Sequence, residues 1–120
     1  MSTQASNVLT LNNVARRFPN RIAGAAPFTA VRNLSFHIDE GEFVSIVGPS
    51  GCGKSTLLNL VAGLDRPSEG RIVLDGVEVS GPNASVGFML QKDLLLPWRT
   101  VLHNVEFGLE VRKVPAARRR

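Results

Sequence analysis

The stretch "GPSGCGKST", residues 48–56, decides how the rest of the chain is read. It fits the pattern G-x-x-x-x-G-K-[ST], with Gly48, Gly53, Lys54 and Ser55 at the fixed positions. Glycines at 48, 51 and 53 permit backbone dihedrals and a close approach that a Cβ would block. Successive amide N–H groups then point inward and form an anion nest. The positive end of a following helix adds to that field. Lys54 supplies a point charge for β- and γ-phosphates, the Ser55 hydroxyl suits Mg²⁺, and Thr56 adds a hydroxyl to a phosphate.

The flanks have the right character. "EFVSIV" (residues 42–47) is short, apolar and β-branched, as expected of a buried strand running into the loop. "KSTLLNLVAG" follows with helix-forming residues and ends at Gly63, a C-terminal stop. Its apolar residues lie on most sides, which predicts burial.

Working outward, "VLTLNNV" (8–14) and "AVRNLSFHI" (30–38) alternate as half-buried strands do, with a loop across Pro19, Gly24 and Pro27 between them. Residues 39–41 and 65–70 read as turns. "RIVLDGVEVS" (71–80) predicts two short strands about an Asp75-Gly76 turn. "VGFML" (86–90) reads as another buried strand, stopping at Gln91. "TVLHNVEFGLEV" (100–111) predicts a helix capped by Thr100, with Val101, Leu102, Val105 and Leu109 at helical spacing. Pro115 suits the first turn of a further helix.

Composition narrows the class. The 120 residues are 43% hydrophobic and 20% charged, ordinary for a globular domain. The net charge is +4, but Arg112, Lys113, Arg118, Arg119 and Arg120 cluster without an acid at the end of the sequence. Subtracting those five from the fourteen Lys/Arg leaves nine against ten Asp/Glu before residue 112, a net of −1. The basic excess is thus a tail effect, and no nucleic-acid partner is expected. The lone Cys52 cannot form an internal disulfide, which points to a reducing compartment. Cys52 reads either as a small loop residue or as a thiol activated by the helix end and Lys54. "MSTQASNVLT" is not expected to be a secretory signal, and no apolar run approaches a membrane span. His37 and His103 are too isolated for a metal site. They read as a strand residue and a helix-surface residue.

"VSIVGPSGCGKSTLLNLVAGLDRPSEGRIVLDG" resembles the ATP-binding subunit of ABC transporters, and "VGFMLQKDLLLPWRTVLHNVEFGL" resembles that family's Q-loop region. The Leu-Leu-Leu-Pro-Trp run is most similar to the nitrate/sulfonate/taurine importer branch. The resemblance implies an α/β fold: a P-loop NTPase (RecA-like) core fragment with an antiparallel β-subdomain, without the helical signature subdomain. Strands of the β-subdomain would lie at about 8–47 and 71–79, the phosphate loop and its helix at 48–63, and the Q-loop region at 86–113. It implies ATP and Mg²⁺ as cofactors, the nucleotide being held by Gly48, Pro49, Ser50, Gly51, Cys52, Gly53, Lys54, Ser55 and Thr56. Phe18 matches the aromatic that stacks on adenine, or else is a strand-end core aromatic. Phe keeps the π-face of the more common Tyr. Gln91 matches the glutamine that reaches Mg²⁺ and the attacking water, so the implied metal residues are Ser55 and Gln91. An amide suits both tasks, by its carbonyl and its NH₂.

The implied partners are a membrane permease and a second, head-to-tail ATP-binding subunit. A periplasmic or extracellular binding protein would act indirectly. The permease would dock on the segment from Gln91 to Arg99, where Leu94, Leu95, Leu96 and Trp98 form either a docking patch or a core plug. The implied location is cytoplasmic, at the inner face of the membrane. Other phosphate-loop classes fit less well: neither Asn-Lys-x-Asp nor Asp-x-x-Gly, both usual in GTPases, occurs here.

These residues contain no strand ending in Asp-Glu after the loop and no Leu-Ser-Gly-Gly-Gln. The sequence therefore reads as the N-terminal part of such a subunit, cut before those elements. Phosphoryl transfer depends on positioning and charge stabilisation. The expectation is an ABC-type ATPase by family whose 120 residues bind nucleotide weakly and turn it over little or not at all. The alternatives are a non-hydrolysing nucleotide-binding fragment and a soluble ABC ATPase without a permease. The run 42–47 is also expected to suffer as an exposed apolar edge if later strands do not cover it.

Overall fold

Leu9, Leu11 and Val14 point to one face of the first strand, and that face builds the core. The computed structural model describes residues 7–51, 53–90, 92 and 95–119, in two units, Met1–Pro82 and Asn83–Arg120. In the first unit, β1 (Asn7–Phe18), β2 (Phe28–Asp39), β3 (Glu69–Leu74) and β4 (Val77–Glu78) form one antiparallel sheet in the order β2-β1-β3-β4. Helix α1 (Lys54–Ala62) lays Leu57 and Leu60 on the core made by Leu9, Leu11, Val14, Val31 and Ile72.

Two asparagines set the register. Strict alternation from Leu9 and Leu11 would bring Asn13 to the core face. Instead β1 carries an extra residue there: Leu11 and Val14 pair with Phe36 and Leu34 of β2, three residues against two. Asn13 takes φ 49°, the left-handed conformation that asparagine tolerates better than most residues. Its amide donates to Ser35 Oγ at 2.8 Å, and that hydroxyl donates back to Asn13 Oδ1 at 3.2 Å. Asn33 (φ 44°) performs the same shift in β2, so that Leu34 and Val31 both serve the core. Opposite the β1 bulge lies Gly70 of β3 (φ 78°), where a Cβ would stand 2.3 Å from the carbonyl oxygens of Asn12 and Asn13.

The strands expected over 8–14, 30–38 and 71–80 and the helix α1 are present, with β1 running through "RRF" to Phe18, further than its alternation predicts. Helix α1 ends on Gly63 (φ 79°), whose amide bonds back to Leu60 O. The Asp75-Gly76 turn joins β3 to β4.

The stretch 42–47 departs from expectation: it forms no strand, and Phe43 and Val47 are 92% and 89% exposed. A β-type run becomes a strand only when a neighbour completes its ladder. Among the described residues no strand pairs with it.

The second unit contains α2 (Val101–Val111) and a 3₁₀ turn (Ala116–Arg118) that follows Pro115. Residues 86–90, expected as a buried strand, are irregular here, with Met89 93% exposed, for the same want of a partner. Thr100 caps α2 as predicted, its Oγ1 accepting from the His103 amide at 3.2 Å. The apolar residues of α2 at helical spacing, Val101, Leu102, Val105 and Leu109, are nevertheless exposed, and Glu106 is its buried residue.

Candidate functional site

The phosphate loop is positioned by the start of α1 and by β2. Gly53 is the N-cap residue of α1, in the left-handed region at φ 96°. A Cβ there would stand 2.3 Å from the Ala30 carbonyl oxygen, so both dihedral and space demand glycine. Gly51 (φ 79°) needs glycine for its dihedral alone. Because Gly53 has no side chain, α1 begins without a side-chain cap, and its first turn holds no acid. The leading amides of a helix lack intrahelical partners and carry the positive end of its dipole.

Lys54 is the first helical residue. Its Nζ folds back and donates to Gly48 O at 2.5 Å and Pro49 O at 3.0 Å. The ammonium is therefore held at the loop. Ser55 is exposed and Thr56 half-buried in the same turn. A glycine-rich loop, an uncapped helix start, a lysine and two hydroxyls make a donor set suited to a polyphosphate with a divalent cation. Cys52, read above as a small loop residue or an activated thiol, lies outside the described residues.

Phe18 ends β1 and pairs with Phe28 of β2. Ala30, against which Gly53 packs, lies two residues beyond Phe28, about 7 Å along the strand. The phosphate loop and the Phe18 end of the sheet are thus neighbours. Phe18 remains half-exposed, and the guanidinium carbon of Arg16 lies 4.4 Å from its ring centroid. Arg16 Nε in turn donates to Asp65 Oδ2 at 2.8 Å. Nothing in the sequence signals this pair, whose members stand 49 residues apart. Beside it, Arg17 Nη1 donates to Glu69 Oε1 at 2.8 Å and holds that exposed carboxyl below the ordinary glutamate range.

In the second unit, Gln91 and Leu94 lie outside the described residues. Of the neighbouring expected patch, Leu95 and Trp98 are 68% and 76% exposed and Leu96 is half-buried. The loop before α2 is fastened by Asn104, another residue the sequence did not single out. Its Oδ1 accepts from the Leu96 amide at 2.9 Å. Its Nδ2 donates to the carbonyl oxygens of Leu96, Arg99 and Thr100 at 3.0–3.3 Å. Among the described residues no cluster of His, Cys, Asp and Glu is suited to a metal, and no helix is long and apolar enough to cross a membrane.

The family model described as "ABC transporter" matches residues 31–120. The chain belongs to the ABC transporter family. An uncharacterized ABC transporter ATP-binding protein of Methanocaldococcus jannaschii is 54% identical over 86 residues, 72% of this chain and 32% of that protein. The taurine import ATP-binding protein TauB of Ruegeria pomeroyi is 45% identical over 100 residues, 83% of this chain and 37% of that protein. The nitrate import ATP-binding protein NrtD of Synechocystis is 55% identical over 82 residues, 68% of this chain and 31% of that protein. The chain spans about a third of the length of these ABC relatives.

Among solved structures, the ATP-binding cassette MJ0796, as a post-hydrolysis dimer bound to ADP and Pi, superimposes with a TM-score of 0.76 at 36% identity. That match covers 90% of this chain and 49% of the solved one. The fold is the N-terminal portion of the ABC ATPase fold, with its antiparallel β-subdomain and phosphate loop.

Proposed function

We propose that this chain is the nucleotide-holding portion of the ATP-binding subunit of an ABC importer. The observation that carries the reading is the loop of residues 48–56, which ends on the uncapped start of α1 with Lys54 Nζ folded over it. Gly48, Pro49, Ser50, Gly51, Cys52, Gly53, Lys54, Ser55 and Thr56 hold the phosphates of ATP. Ser55 and Gln91 serve Mg²⁺, and Gln91 also orients the attacking water. Phe18 stacks on the base. Bound Mg²⁺ supplies charge neutralisation at the phosphates. The chain's own residues fix the polyphosphate and keep the base at the sheet end.

In the whole subunit, ATP closes a dimer with a second ATP-binding subunit, and hydrolysis reopens it. The exposed Leu95 and Trp98, on the loop fastened by Asn104, receive a permease at the inner face of the membrane. The likeness to TauB and NrtD supports small anions of the nitrate, sulfonate or taurine kind as cargo. The proposed division is a β-subdomain at about 8–47 and 71–79, the phosphate loop and helix at 48–63 and the Q-loop region at 86–113.

The 120 residues supply the cradle but neither the Asp-Glu carboxylate nor the Leu-Ser-Gly-Gly-Gln segment. As a 120-residue polypeptide the chain binds Mg-ATP and releases no phosphate above a buffer blank. Calorimetric titration with Mg-ATP and a phosphate-release assay test this together. Binding that survives Lys54→Ala defeats the cradle assignment. Turnover that disappears with Lys54→Ala defeats the claim of inactivity.

A further inference from the structure

Phe18 is not a free-standing ring. The Arg16 guanidinium lies over it at 4.4 Å, within the range where a cation attracts the face of an aromatic ring. Arg16 is itself tied down. Its Nε donates to Asp65 Oδ2 at 2.8 Å, and its Nη1 donates to Arg17 O at 3.3 Å and approaches Ser68 Oγ at 3.5 Å. Asp65 is anchored in turn, its Oδ1 accepting from the Arg66 amide at 2.8 Å. Ser68 Oγ also accepts from the Arg17 amide at 2.9 Å, so the turn after α1 grips the end of β1 twice. Arg16 and Asp65 are both mostly covered, with side chains 24% and 32% exposed. A planar guanidinium held by a carboxylate has a fixed plane, and a ring stacked on it inherits that plane.

We propose that Arg16 is a positioning residue of the nucleobase subsite. Backed by Asp65, it occupies one face of Phe18, fixes the ring and leaves the opposite face for the base of the nucleotide. This rests on the reading of Phe18 as the base platform. The turn after α1 thereby reaches the base through Asp65, Arg16 and Phe18, while the start of α1 reaches the phosphates. One helix would set the two ends of the nucleotide.

The test compares two ligands of the full chain, Mg-ATP and Mg-tripolyphosphate, by calorimetry. Tripolyphosphate reports the phosphate cradle alone, so it registers misfolding but not loss of base stacking. Phe18→Ala should weaken ATP by at least about five-fold and leave tripolyphosphate unchanged. Arg16→Met should weaken ATP by about two- to five-fold, again with tripolyphosphate unchanged. ATP binding that tightens in Arg16→Met would mean that the guanidinium competes with the base, and would overturn the proposal.

An unchanged ATP affinity in Arg16→Met, with Phe18→Ala impaired, also overturns it while sparing the Phe18 reading. An unimpaired Phe18→Ala removes that reading itself. If Arg16→Met loses both ligands, Asp65→Asn decides, because it unties Arg16 without removing it. Selective loss of ATP there supports the proposal. Loss of neither ligand, or of both, reduces the pair to a fold contact.

Discussion

The two α-helices among the described residues begin in opposite ways. Helix α2 starts on Thr100 in extended backbone, and the Thr100 hydroxyl accepts the His103 amide at 3.2 Å. Helix α1 starts on Gly53 in left-handed backbone, with no side chain to turn inward. Neither first turn contains an acid. A capped start meets its own hydrogen-bonding needs and is part of the scaffold. An uncapped start, fronted by a glycine loop and a lysine, is the arrangement that the proposed phosphate site requires. The helices differ in anchoring too. Helix α1 sinks Leu57 and Leu60 into the core, whereas Val101 and Val105 of α2 are 82% and 76% exposed.

The anchoring contrast gives the largest expected effect. Leu60 is fully buried, and Leu60→Ala should cost about 2–5 kcal/mol in urea unfolding. Val105→Ala, at an exposed site, should stay within about 0.5 kcal/mol. Equal losses would erase the contrast. Gly53→Ala comes next. It forces φ 96° on a residue with a Cβ and drives that Cβ against the Ala30 carbonyl oxygen, which is backbone and has little room to yield. Strain of at least about 2 kcal/mol should follow, together with loss of Mg-ATP binding.

Thr100→Ala should cost about 1 kcal/mol and leave Mg-ATP binding untouched. Impaired nucleotide binding there would mean that the capped start is not merely scaffold. The smallest effect is ionic. Arg17 lowers Glu69, and Arg99 at 2.6 Å lowers Glu110, each chiefly through a hydrogen bond. A carboxyl whose folded pKa is depressed contributes stability above its unfolded pKa and loses it as pH falls through the folded value. Both carboxyls are exposed, so the contribution is small. Carboxyl ¹³C titration should find both glutamates below the ordinary range. Arg17→Gln should return Glu69 alone to that range.

How much of this was legible depended on how local the cause is. Thr100, Gly63 and the Asp75-Gly76 turn act on backbone within a few residues of themselves, and all three act as their sequence predicts. Gly53 was legible as loop chemistry, but its contact with Ala30 belongs to the tertiary fold. The bulges at Asn13 and Asn33 break the alternation by one residue, a choice made by pairing across strands. The run 42–47 carried a strong strand signal with no ladder, because strand formation depends on a partner that local sequence does not supply. Arg16 and Asp65 illustrate the same boundary at the site: an aromatic was readable at 18, while its ionic support came from a turn far along the chain.

The open start of α1 is proposed to take the phosphates while the closed start of α2 does not. Residue-resolved amide hydrogen exchange, with and without saturating Mg-ATP, tests it most directly. Exchange should slow at residues 53–57 and stay unchanged at residues 101–104. Unaltered exchange at 53–57 with nucleotide present, or equal slowing at both helix starts, would contradict it.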